Sequence, residues 1–181
     1  MRRAGPVKGV IVRVVIAGVA SAASVGRRAR RAANLVPGPS GGDAVTDLRT
    51  MIHDIYATLS KHDLEGFVEY LADDMIEHEA PPVSDPLPGR AGAKQWFEIL
   101  FAAFPDLTMT AEDTIVEGDK VVARVRAQGT QRGEFMGMPG SGRPVDVELI
   151  DILRVENGKV VEHWGVVDNA TMMMQLGAMS G

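Results

Sequence analysis

One aspartate stands out as a residue placed for chemistry. Across residues 145–155, Val145, Val147, Leu149, Asp151, Leu153 and Val155 share one parity, while Asp146, Glu148, Ile150, Ile152 and Arg154 share the other. On a β-strand, alternate side chains share a face. The first face is then apolar except for one carboxylate at its middle. An unpaired charge is costly to bury, so Asp151 must be paired, hydrogen-bonded, hydrated or protonated. Desolvation raises a carboxyl pKa, which suits general acid or base work. The plain alternative is a structural buried aspartate.

The Asn157-Gly158 dipeptide is a strong hairpin signal. A regular two-residue hairpin there sets Glu156 against Lys159, Val155 against Val160, Leu153 against Glu162 and Asp151 against Trp164. Trp164 would thus lie beside Asp151, its indole bonding the carboxylate or walling off water. In that register His163 faces Ile152, away from Asp151, as a packing or interface residue. His78 shares a short strand with Ile76 and is expected to point inward. His53 and His62 sit on or beside helices and read as solvated. Gln131 closes an apolar row (Val121, Ala123, Val125, Ala127, Gly129), where it either offers a polar group to a cavity or simply ends a strand. No histidine pair has ligand spacing and no cysteine exists, so a metal site is not expected.

The elements that must position these residues follow from periodicity. Ile52, Ile55, Tyr56 and Leu59 predict an amphipathic helix from about Asp47, and Asp63 caps a second helix through Leu64, Phe67, Val68 and Leu71. A short strand over 75–79 leads to a proline-rich loop. Ala93, Trp96, Phe97, Leu100, Phe101 and Phe104 form the apolar face of a third helix that Pro105 ends. The period then changes to two. Residues 107–117, 120–131, 143–156 and 159–168 read as strands, and Asn169–Met179 as a short closing helix or tail. Helices followed by an antiparallel meander describe an α+β domain.

Charge divides the chain. Its net charge is −5, yet residues 1–44 hold eight of the 19 basic residues and one of the 24 acids, hence +7, leaving −12 on residues 45–181. The leader reads as a disordered extension from an upstream start, with a signal peptide as the alternative. Its apolar run, Val14–Val25, is too short for a stable membrane span. No aromatic accompanies its arginines, so nucleic acid is not an expected partner. The cytoplasm is the expected location.

Several stretches carry a family resemblance: Phe104-Pro105-Asp106-Leu107, Gly129-Thr130-Gln131, Gly133-Glu134-Phe135-Met136-Gly137-Met138-Pro139, Gly142-Arg143-Pro144-Val145, and the run from Ile150 to Trp164. Together they resemble the SnoaL-like polyketide cyclases, also labelled ester cyclases, of the nuclear transport factor 2-like superfamily. The similarity covers about residues 47–177. It implies a cone in which a curved antiparallel sheet, wrapped by N-terminal helices, surrounds an apolar cavity, usually in a homodimer. It also implies that an acid at the Asp151 position performs acid–base work in an intramolecular aldol closure without metal or cofactor. Where many relatives have a histidine after Gly-Thr, this chain has Gln131, which can donate or accept a hydrogen bond but cannot shuttle a proton at neutral pH.

The resulting expectation is a cyclase-like enzyme acting on an apolar, polyketide-like molecule. Asp151 is the catalytic residue, and His78, Gln131, Trp164, Phe135 and Met138 contact the substrate. The rival readings are a non-catalytic binder of a small hydrophobic ligand and another reaction on the same fold, such as isomerisation or epoxide hydrolysis.

Overall fold

The computed structural model of the chain describes residues 41–79 and 82–179, so the expected basic leader lies almost wholly outside the described residues. Helix α1 (Gly41–Ser60) begins ahead of the expected Asp47, and its Ile52, Ile55, Tyr56 and Leu59 are buried as their spacing requires. His62, with φ of 58°, turns the chain after α1 and stacks on Phe101 at 4.1 Å, so it is packed rather than solvated. Helix α2 (Leu64–Val68) is capped by Asp63, whose Oδ1 accepts the Gly66 N–H at 2.9 Å.

Strand β1 (Leu71–Glu77) starts earlier than its sequence signal and takes Leu71 from the expected second helix. Helix α3 (Gly89–Ala103) ends just before Phe104-Pro105, where proline cannot continue the ladder. Then come β2 (Thr108–Glu117), β3 (Lys120–Thr130), β4 (Pro144–Glu156) and β5 (Lys159–Val167). Helix α4 (Asn169–Leu176) closes the domain, capped by Asp168 and terminated by Gly177 at φ 76°.

The five strands form one curved, unclosed sheet in the order β1-β5-β4-β3-β2. β2 to β5 make the expected antiparallel meander, but β1 joins β5 in parallel. β1 and β2 therefore sit at opposite edges, and the connection through α3 carries the chain across. α1 packs on β2 and α3 on β1. Between them lie the inner-face residues Val121, Ala123, Val125, Val147 and Leu153, all buried, while Arg124 and Arg126 point to the solvent side. Among the described residues, no helix is long and apolar enough to cross a membrane.

Candidate active site

Asp151 sits on the inner face in the middle of β4, 8% exposed, between two small neighbours: Ala123 on β3 and Gly165 on β5. The second of these partners was not the expected one. The turn pairs Glu156 with Lys159 and Val155 with Val160, but Arg154 then faces Glu162, so Val161 is an extra residue, a β-bulge. From there Leu153 faces His163, Ile152 faces Trp164 and Asp151 faces Gly165. Side chains alternate with period two, so a one-residue shift exchanges the two faces. Trp164 and Glu162 move outside, and His163 comes in.

The exchange gives the buried acid a cation. His163 Nε2 lies 3.3 Å from Asp151 Oδ1, and Nδ1 lies 2.7 Å from Glu77 Oε2 at the end of β1. A neutral imidazole donates from one nitrogen only, so carboxylates at both nitrogens call for the imidazolium. Burial works against that cation, but the hydrogen bonds and charges of Asp151 and Glu77 outweigh it and hold the pKa at about 10.

Tyr56 completes the set from α1, its hydroxyl donating to Asp151 Oδ2 at 2.5 Å. Burial, then the charge and hydrogen bond of Asp151, keep the phenol well above its ordinary pKa, so it stays a protonated donor. Side-chain exposure rises from 11% at Asp151 to 19% at His163 and 30% at Glu77, and the constellation therefore opens to solvent at the β1 edge. Depressions of about 530 Å³, lined by residues such as Asp106, Gln128 and Asp146, and about 270 Å³, lined by residues such as Glu65, Arg90 and Lys94, lie elsewhere.

The other expected contact residues fall into two groups away from Asp151. His78 is exposed, not inward: its ring stacks on Trp164 at 4.5 Å and 3°, and its Nε2 lies 3.4 Å from Glu162 on the outer face. Gln131, Phe135 and Met138 meet at the loop between β3 and β4. Gln131 is 1% exposed and spent on that loop: its Nε2 donates to the Met138 carbonyl at 3.2 Å, and its Oε1 accepts from Ser141 Oγ at 2.7 Å. Phe135 packs edge-on to Phe104, and its backbone exchanges two hydrogen bonds with Met138. The β4 strand from Pro144, beside this loop, to Asp151 spans roughly 20 Å.

His163 and Tyr56 are the residues that sequence reasoning missed as partners of Asp151. A bulge leaves no mark in the run Lys159–Val167, but the chemistry did leave one. A lone carboxylate on an apolar face needs a cation or donor more than it needs an indole. A buried tyrosine hydroxyl needs a partner as well.

Comparisons with known proteins agree with this architecture. The sequence model of the SnoaL-like polyketide cyclase family matches residues 46–176. Aklanonic acid methyl ester cyclase DauD from Streptomyces sp. (strain C5) is 29% identical over 133 residues, covering 72% of this chain and 80% of DauD. Among solved structures, TsrD from Streptomyces laurentii superposes with a TM-score of 0.67 at 30% identity, covering 74% of this chain and 97% of TsrD. IdmH from Streptomyces antibioticus gives 0.63 at 37% identity, covering 71% and 97%. With the family's sequence signature running from α1 to α4 and the same arrangement of sheet and helices, this chain belongs to the SnoaL-like polyketide cyclase family.

Proposed function

We propose that this protein is a cofactor-independent cyclase that closes a ring on an apolar polyketide-type substrate by intramolecular aldol addition, with Asp151 as its acid–base residue. The observation that carries the reading is the Asp151 carboxylate itself, alone on an apolar sheet face yet held by the Tyr56 hydroxyl and the His163 imidazolium. Each carboxylate oxygen accepts one of these contacts and keeps a lone pair for substrate.

In the reaction, Asp151 takes a proton from the carbon next to a substrate carbonyl. The resulting enolate carbon attacks a second carbonyl carbon, the ring bond forms, and the carbonyl oxygen takes up a proton. The imidazolium, fixed between Asp151 and Glu77, offers positive charge to the developing enolate without reorganising. Tyr56 orients the carboxylate. The rival reading, a passive ligand carrier, gains no support from Gln131, whose side chain is committed to its own loop.

The test is Asp151→Asn, assayed on aklanonic acid methyl ester, the compound in the name of the DauD relative. Loss of a general acid–base group lowers kcat by about 10²–10⁴-fold, measured on folded protein below the variant's own melting temperature. Undiminished turnover defeats the assignment.

The functional unit in this reading is a homodimer joined through the outer sheet face, where Ile115, Ile150 and Val166 leave 62%, 41% and 72% of their surface exposed. Sedimentation velocity should give a dimer that Ile150→Lys converts to monomer. A monomeric wild type would remove the dimer from the account.

A further inference from the structure

We infer that Glu79 is the second proton-transferring group of this site, giving a proton to the carbonyl oxygen under attack while Asp151 takes the carbon-bound proton. The inference rests on the aldol reading of Asp151 and goes beyond it by dividing the two proton transfers between two carboxyl groups.

The geometry begins at Gly165. A methyl group on that glycine would sit 2.5 Å from Glu79 Oε2, 3.0 Å from Asp151 Oδ1 and 3.2 Å from His163 Cε1. All three side chains thus crowd the bare backbone of one residue, and the absent Cβ is the space they share. Both carboxyl oxygens lie so near one point that a single water or substrate oxygen can touch them together.

The chain leaving β1 delivers Glu79 there by alternation. Glu77 turns in to His163, His78 turns out to stack on Trp164, and Glu79 turns in again. Its backbone N–H donates to Glu77 Oε1 at 2.8 Å, fixing the bend. Asp151 and Glu77 are both engaged by donors, whereas among the described residues no side chain donates to the Glu79 carboxyl. It is the member of the set with its hydrogen-bonding capacity free for a ligand.

The surroundings also suit an acid rather than a base. Burial raises the Glu79 pKa; the His163 cation opposes this, and the negative charges of Asp151 and Glu77 add to the rise. Tyr56 faces the far oxygen of Asp151 and stays neutral. His163 is a poorer donor to substrate, because both its N–H groups are already held by carboxylates.

The proton balance closes. The substrate carbon loses its proton to Asp151, the new carbon–carbon bond forms, and the carbonyl π bond breaks. The oxygen takes the Glu79 proton and becomes a hydroxyl. Asp151 has gained one proton and Glu79 has lost one, and a water bridging their oxygens restores both.

The experiment compares Glu79→Gln, Glu79→Asp and Asp151→Asn, with aklanonic acid methyl ester as probe and with ¹³C NMR titration of the Glu79 carboxyl. Glu79→Gln should lower kcat about 10²-fold with little change in KM and erase the basic limb of the kcat–pH profile, and Glu79→Asp should restore part of both. In the substrate-free protein, Glu79 should titrate above an ordinary glutamate, and its midpoint should fall in Asp151→Asn as a neighbouring charge is removed. Full activity and an intact basic limb in Glu79→Gln, with Asp151→Asn inactive, would overturn the Glu79 role and leave the aldol reading standing. Full activity in both variants would overturn both. A Glu79 midpoint indifferent to Asp151→Asn would overturn the shared site even without an assay.

Discussion

The two faces of β4 and β5 carry the same kinds of charged residue and use them differently. Outside, Arg126 pairs with Asp146 at 2.5 Å, Arg154 with Glu162 at 2.5 Å and Arg124 with Glu148 at 2.9 Å. Within a single chain these groups are in contact with water, which screens them and competes for their hydrogen bonds. Inside, one imidazolium is shared by Asp151 and Glu77, with Tyr56 on the far oxygen and Glu79 nearby. There the medium is less polar, so each partner has a larger hold on its neighbour's proton. Identical chemistry, a single residue apart along each strand, is a solvated lattice on one side and a reactive centre on the other.

Removing the central cation should break this contrast most sharply. His163→Leu leaves Asp151 and Glu77 without their shared partner, and losing one member of a buried pair costs about 3–5 kcal/mol. Some solvent reaches His163, so the lower end is expected, read from the urea midpoint at pH 7. Arg126→Ala outside should leave that midpoint unmoved. Equal losses from the two substitutions would erase the distinction between the faces.

The pH dependence follows with opposite signs. The pKa of His163 is higher folded, about 10, than unfolded, about 6.5. Its stabilisation is therefore complete below pH 6.5 and fades as pH rises towards 10. Asp146 and Glu162 have folded pKa values lowered by their arginine hydrogen bonds, so any contribution from them is present above the carboxylate range and fades as pH falls. Urea midpoints between pH 6 and 10 should decline in the wild type and stay flatter in His163→Leu. A wild type with no alkaline decline would contradict the charged His163.

How much of this was legible in the sequence depended on whether the signal was local. Period-two alternation located all four strands of the meander, and it marked Asp151 as the acid out of place, because both depend on residues near each other in the chain. The parallel docking of β1 on β5 joins residues far apart in sequence, such as Leu71 and Val160, and nothing local announces it. Gln131 was marked correctly as the end of an apolar row. Its use, holding Met138 and Ser141, depends on a loop path that residue types do not encode. His163 and Trp164 were assigned to the wrong face for one common reason, the extra residue at Val161; His78 was misplaced separately, because Ile76, whose face it shares, is itself exposed.

That residue supplies the finest test of the comparison. A regular hairpin lacking Val161 would still set Val160 against Val155, Glu162 against Arg154 and His163 against Leu153, because the bulge only absorbs one position. Deleting Val161 should therefore preserve the inward His163 and the outward Trp164, at the cost of some local strand twist. The His163 ring should still titrate near 10 by NMR, and the urea midpoint should fall far less than in His163→Leu. If the ring instead titrates as an ordinary histidine, the bulge does more than count residues: its bend is what aims the imidazole at Asp151. The two outcomes separate the roles of register and curvature in building the inner face. Register alone accounts for which side chains enter it, since period two leaves each residue only two choices.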